Sequence, residues 1–173
     1  MIEITDKESY KNQIKEILTF KFMTDTELHS LIENCSILEY DEEEPIIKQG
    51  ETDQSFYAVV EGLVRVSALE SEGKDVYICT IGDGEIFGEA GIFMKVKRTA
   101  SVTSSAKTIV FRIKRTQMLK FIKENPSAGN KFFMVMIYGL LKKLKETNSE
   151  LAYERKADVN QDDIDALVND LLN

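Results

Sequence analysis

The hydrophobic positions of this chain change period twice, and the changes divide it into segments. Over residues 1–35 the apolar side chains recur at helical spacing. Thr5 followed by Glu8 is a capping-box pair, and Tyr10, Ile14, Ile17 and Leu18 fall at i, i+4, i+7 and i+8 along one helix face. Thr24 and Glu27 repeat the box ahead of Leu28, Leu31, Ile32 and Cys35. From Ser36 to Lys114 short apolar runs alternate with turn residues about every 8–12 positions, the rhythm of an all-β sandwich or barrel. Strands are expected near 36–40, 45–49, 55–61, 63–70, 75–81, 84–88, 99–104 and 107–113, with Glu70-Ser-Glu-Gly-Lys74 as a hairpin turn. Five of the nine glycines lie between Gly73 and Gly91, which marks tight turns and close backbone approach there.

After Lys114 the helical period returns with Met118, Phe121 and Ile122, breaks at Asn125-Pro126, and resumes in a long helix expected from Ser127 to Tyr153. Phe133, Ile137, Leu140, Leu144, Thr147 and Leu151 follow one another at intervals of 4, 3, 4, 3 and 4, a heptad seam. Phe132, Val135, Met136 and Leu141 form a second apolar edge. One edge is expected to cover the β segment and the seam, residues 133–151, to meet the same helix of a second copy in a homodimer. The alternative is a single helix buried within one subunit. Residues 154–173 carry 6 acidic and 2 basic side chains, with Asn160 as a cap and Ile164, Leu167, Val168 and Leu171 on one stripe. A short amphipathic helix on a polar tether is expected. Four segments result: a helical cap (1–35), a β barrel (36–114), a hinge and dimer helix (115–153), and an acidic tail (154–173).

Charge narrows the function. Lys and Arg total 22 against 30 Asp and Glu, a formal net charge of -8, so the general surface repels a nucleic-acid backbone and DNA is not an expected partner. No apolar run approaches the roughly 18–20 residues that cross a bilayer and no signal peptide opens the sequence, so no membrane contact and a cytoplasmic location are expected. Cys35 and Cys79 lie outside any CxxC spacing and read as small buried residues of a reducing compartment. His29, the one histidine, falls off its helix stripe and reads as solvated. A metal cofactor, catalytic residues and an enzymatic activity are not expected.

The most informative stretch runs from Phe87-Gly-Glu-Ala-Gly-Ile-Phe to Lys97-Arg-Thr-Ala-Ser-Val102. Gly88 admits close backbone approach, and the segment after it starts a short helix whose leading N–H groups form an anion nest. Arg98, expected to return on a strand, can pair with a phosphate through its guanidinium fork, with the Thr99 hydroxyl beside it. Glu89 beside an anion makes sense as an acceptor for a ligand hydroxyl. An anion, a hydroxyl and a flat apolar group together describe a nucleotide. The alternative is a partly buried Glu89–Arg98 ion pair with no ligand.

This segment resembles the phosphate-binding cassette of cyclic nucleotide-binding domains at Phe87, Gly88, Glu89, Arg98, Thr99, Ala100 and Val102, in the family's spacing. Gly50 and Gly62 sit where that family has turn glycines, so the resemblance spans residues 20–150. It implies a mainly β fold with flanking helices: a jelly roll, or double-stranded β-helix, with N-terminal helices and a long C-terminal helix. It further implies that Glu89 accepts from the ribose 2′-hydroxyl, and that Arg98, Thr99 and the backbone of Gly88 to Ala90 hold the cyclic phosphate. Val66, Ile78 and Ile81 would line the base pocket, with Thr147 or Asn148 near an adenine edge. The ligand implied is cAMP, with cGMP as the alternative, because a threonine after the arginine occurs with both.

Members of the catabolite activator class continue into a helix-turn-helix domain; the last twenty residues here are acidic and cannot form one. Output through protein contacts is therefore expected. Gln161-Asp-Asp-Ile-Asp-Ala-Leu-Val168 resembles the peptide by which flagellar motor switch proteins bind a chemotaxis response regulator, with Ile164, Leu167 and Val168 as its apolar face. The alternatives are a tail that folds back on the barrel and, for the whole chain, a ligand-free scaffold acting through helix and tail.

Overall fold

A computed structural model describes the backbone of residues 1–69 and 73–172 and the side chains of 1–69 and 73–149. The chain divides into two units, residues 1–132 and 133–173.

The first unit is a roll of two antiparallel sheets. One sheet has the order β1 (Ile2–Glu3), β2 (Ser36–Tyr40), β9 (Thr108–Lys114), β4 (Ser55–Glu61), β7 (Ile86–Phe87). The other runs β3 (Pro45–Ile47), β8 (Ser101–Ser104), β5 (Val64–Leu69), β6 (Asp75–Ile81). Side chains alternate across each strand, so β4 presents Tyr57 and Val59 to the space between the sheets and Phe56 and Ala58 to the other side. Tyr57 and Val59 join Leu38, Val64, Val66, Phe87, Val102 and Val110 in the inner core. On the opposite face Phe56 and Phe111 meet Phe20 and Phe132, with ring centroids of Phe20–Phe111 5.0 Å apart and of Phe56–Phe132 5.7 Å apart. Both faces of β4 are thus covered, which is why its sequence is continuously apolar from Phe56 to Val60.

The helices of this unit are α1 (Lys11–Glu16), α2 (Asp25–Glu33), α3 (Ala90–Phe93), α4 (Arg115–Glu124) and the first residues of α5 (Pro126–Leu172). Thr24 caps α2 as expected: its hydroxyl oxygen accepts from Glu27 N–H, and the Glu27 carboxylate accepts from Thr24 N–H. Glu27 also pairs with Lys131 at 2.9 Å, tying the start of α5 to α2.

Four local expectations change. Thr5 caps no helix: Ile2 and Glu3 pair with Glu39 and Leu38 as a strand, the Thr5 carbonyl closes a turn with Lys7 N–H, and the α-helix begins only at Lys11. Leu18 consequently falls beyond α1 and is exposed. Cys79 is exposed, because β6 is an edge strand, whereas Cys35 is buried. The hairpin turn after Leu69 lies largely outside the described residues.

In the second unit α5 continues to Leu172 without the expected tether. No glycine or proline follows Gly139, so nothing in the backbone chemistry interrupts the helix. Met136 is buried, while Ile137, Leu140, Leu141 and Leu144 are exposed. Leu141, assigned by its spacing to the covering edge, is thus exposed like the seam residues. Among the described residues no helix is long and apolar enough to cross a membrane.

Candidate functional site

The cassette hangs from the inner core. Phe87 of β7 pairs with Tyr57 of β4, and their rings stack at 5.0 Å with planes 6° apart. Gly88 follows with φ of 72°, a left-handed backbone that turns the chain out of the sheet and into α3. The chain then runs without regular structure to Arg98, which precedes β8 instead of lying on a strand. Its backbone is fixed all the same: Arg98 N–H donates to the Glu51 carbonyl and the Arg98 carbonyl accepts from Gly50 N–H, both at 2.8 Å.

The Arg98 side chain is only 7% exposed. Nη1 donates to the Gly88 carbonyl at 3.1 Å; Nη2 donates to the Ser55 carbonyl at 2.7 Å and to Asp53 Oδ2 at 3.2 Å. Its Nε–H is buried with no hydrogen-bond partner among the described residues. A buried cationic donor left without an acceptor is costly, about 1–3 kcal/mol or more. Gly88 and Gly91 leave room for the guanidinium, since a Cβ on either would stand 2.9 Å from Nη1.

Asp53 gathers this site. It accepts from Arg98, from Arg112 Nη2 at 3.2 Å, from the Ser55 hydroxyl at 3.1 Å and from the Tyr57 hydroxyl at 3.1 Å. Burial alone would raise its carboxyl, but Ser55, Arg112, Arg98 and Tyr57 together hold it below the ordinary carboxylate value. Burial pushes the Tyr57 phenol up to about 12, so it remains a donor. Both guanidinium groups lie close to the Tyr57 ring, with Cζ of Arg98 5.9 Å and Cζ of Arg112 5.8 Å from its centroid.

The structure brings Phe87, Gly88, Glu89, Ala90 and Arg98 into one loop. Glu89 is half-buried at the start of α3, Ala90 and Thr99 are exposed, and Ala100 packs on the inner core. Val66 lies in that core with Ile81 against it. Ile78 sits at a register shift in the β5–β6 ladder and is exposed, whereas Cys79 stands directly opposite Val66. Thr147 and Asn148 are exposed on α5 in the second unit. The side chains of Ile164, Leu167 and Val168 lie outside the described residues. Asp53 and Arg112 were not singled out by sequence. Their signal was available: Arg112 interrupts the apolar run Val110-Phe-Arg-Ile113, and a charge in a buried strand demands a partner.

The roll thus carries a short helix after a left-handed glycine, with the buried Arg98 guanidinium folded back beside it. The sequence profile of the Cyclic nucleotide-binding domain family matches residues 37–125, and the chain belongs to that family. It is 28% identical over 128 residues to the cAMP-activated global transcriptional regulator CRP of Haemophilus influenzae, covering 73% of this chain and 55% of that protein. It is 30% identical over 104 residues to the cGMP-dependent protein kinase of Plasmodium berghei, covering 60% of this chain and 12% of the kinase. The chain spans about half the length of the CRP proteins it matches. Among solved structures, a cyclic nucleotide-binding domain from Methylobacillus flagellatus superposes with a TM-score of 0.77 at 19% identity over 84% of each chain. The Thermus thermophilus catabolite activator protein gives 0.66 at 25% identity, over 77% of this chain and 61% of that one.

Proposed function

We propose that this chain is a receptor for a cyclic nucleotide, with cAMP as the ligand and cGMP as the alternative. The observation that carries the reading is the buried Arg98 Nε–H, left without an acceptor on a guanidinium whose far end packs against Gly88 and Gly91 of the cassette. A cyclic phosphate supplies that acceptor, Thr99 and the backbone from Gly88 to Ala90 assist, and Glu89 takes the ribose 2′-hydroxyl. Val66 and Ile81 form the apolar ground for the base, with Ile78 at the rim and Thr147 or Asn148 contributed by α5. The chain carries out no catalysis in this reading. It signals through movement of α5 and through protein contacts, as a cytoplasmic homodimer joined along residues 133–151. The tail at 160–173 serves as a docking segment for a response regulator or another protein.

A second reading has its own observation. Three of the four N–H groups on the Arg98 terminal nitrogens already donate to protein oxygens, the arrangement a ligand-free scaffold would keep. Titration calorimetry with cAMP and, separately, cGMP distinguishes the two. Saturable binding of either supports the receptor, and the tighter of the two names the ligand. No heat and no competition from either supports the scaffold.

A further inference from the structure

Asp53 is the meeting point of two guanidinium groups. Each of its carboxylate oxygens takes one, Oδ2 from Arg98 and Oδ1 from Arg112, both at 3.2 Å. Ser55 repeats the sharing: its carbonyl oxygen accepts from Arg98 at 2.7 Å and its hydroxyl oxygen from Arg112 Nε at 3.2 Å. Arg112 stands opposite Tyr57 in the β4–β9 register and two residues from Val110, so it shares their inward face. Its side chain is less deeply buried than that of Arg98.

A carboxylate this close to Arg98 competes with a phosphate for the same guanidinium, and the competition sharpens as water is excluded. Arg98 alone, shared between Asp53 and a phosphate, would serve two anions with one cation. Glu89, in the same loop, adds a further carboxylate to the neighbourhood. Arg112 supplies the second cation on the Asp53 side. We propose that Arg112 is a positioning residue for phosphate capture: it holds the Asp53 carboxylate, so that Arg98 stays aimed at the cassette without being neutralised by it. This rests on the reading of Arg98 as the phosphate ligand. Without Arg112 the Asp53 charge falls wholly on Arg98, and the ligand must displace it.

The test is a calorimetric titration, with cAMP and separately with cGMP, of the wild type, Arg112→Gln, Arg112→Lys, Asp53→Asn and the double variant Asp53→Asn/Arg112→Gln, each first checked for a cooperative thermal transition. Arg112→Gln is expected to weaken binding roughly tenfold, within the coupling found inside one salt-bridge network. Arg112→Lys recovers part of the loss, because it keeps the charge without the fork. In the Asp53→Asn background the Gln substitution is expected to change affinity by less than about twofold, since the competitor is gone. An equal loss in both backgrounds, or no loss in either, overturns the proposal. If Arg112→Gln does not fold, Arg112→Lys with and without Asp53→Asn makes the same comparison. A wild type that binds neither cAMP nor cGMP overturns the receptor reading and this proposal together; a binding wild type with additive variants overturns this proposal alone.

Discussion

Gly91 lies so close to Arg98 that a methyl group on it would stand 2.9 Å from Nη1 and 3.2 Å from Cζ. Gly88 meets the same Nη1 at 2.9 Å, but it also has a φ of 72° and would place its methyl 3.2 Å from the Ser55 carbonyl oxygen. The two glycines therefore separate binding from folding. Gly91→Ala needs no new backbone conformation, so only the guanidinium must move. It is expected to shift the melting temperature by less than about 4 °C, the scale of a sub-kcal change, and to weaken cAMP binding by about tenfold, the loss of roughly one hydrogen bond. Gly88→Ala additionally forces a left-handed alanine, costing about 1–2 kcal/mol of stability. Thermal unfolding and calorimetry on both variants check this. An alanine at Gly91 with wild-type affinity would show that the guanidinium position does not matter to the ligand.

Removing the guanidinium itself has two consequences. Arg98→Ala leaves the Ser55 and Gly88 carbonyls and the Asp53 carboxylate short of a donor, and should destabilise the unliganded protein by about 1–3 kcal/mol. It should also cost roughly 2–5 kcal/mol of cyclic nucleotide binding, the scale of a desolvated charge pair. Arg98→Lys keeps the charge but loses the fork, so its affinity falls between the two. Thermal shift reads both effects, because a binder gains stability as RT ln(1 + [L]/Kd). A full ligand-induced shift in Arg98→Ala would remove Arg98 from the site.

The two cysteines offer a chemical probe of the base pocket. Burial pushes the Cys35 thiol up to about 12, which leaves it unreactive in the native state. Cys79 is exposed and stands opposite Val66 in the β5–β6 ladder. One thiol per chain should therefore react readily with a disulfide reagent under native conditions, and two in denaturant. At a cAMP concentration of ten times Kd the Cys79 rate should fall about tenfold if the bound state is shielded. Equal rates with and without ligand would place the base elsewhere.

What sequence makes legible here depends on whether one local pattern dominates. The central strands of the roll were legible because their covered faces fix the apolar positions, and β4, covered on both faces, stands out as an unbroken apolar run from Phe56 to Val60. The cassette was legible because Gly88 and Arg98 are fixed types at a fixed spacing. The N-terminus misled because Thr5 and Glu8 satisfy a capping pattern that the Ile2–Glu3 strand pairing pre-empts. Asp53 was invisible for a different reason. It sits in a polar turn, where an aspartate is ordinary, and only the fold brings it within 3.2 Å of arginines 45 and 59 residues away.

The apolar seam of α5 makes a separate expectation. Ile137, Leu140 and Leu144 are exposed at spacings of 3 and 4, a contiguous apolar strip of the kind that marks an association surface. Sedimentation of the purified protein should give a dimer, and Leu140→Glu or Leu144→Glu should convert it to a monomer at micromolar concentration. A monomeric wild type would assign the seam to something other than self-association.

Asp53 links stability to pH in a direction that follows from its partners. Burial opposes its ionised form, yet Ser55, Arg112, Arg98 and Tyr57 outweigh burial and bring its carboxyl below the ordinary value of 3.8. A carboxyl depressed in the folded state stabilises the fold at pH values above its unfolded pKa, and that contribution disappears as pH falls through the folded pKa. Asparagine cannot titrate. The urea midpoints of wild type and Asp53→Asn should therefore differ by a constant amount from pH 7 to 5 and converge below about pH 4, as the wild-type carboxyl takes up its proton. Asp25, Glu27 and Glu44 are depressed in the same direction, by Lys15, Lys131 and the terminal amine respectively, so both proteins still lose stability in acid and only the difference between them reports Asp53. Parallel curves down to the lowest pH would show that the carboxylate contributes nothing through its charge. Convergence, together with cAMP affinity in Asp53→Asn at least as tight as in the wild type, would mean that this carboxylate stabilises the empty site at the expense of the ligand.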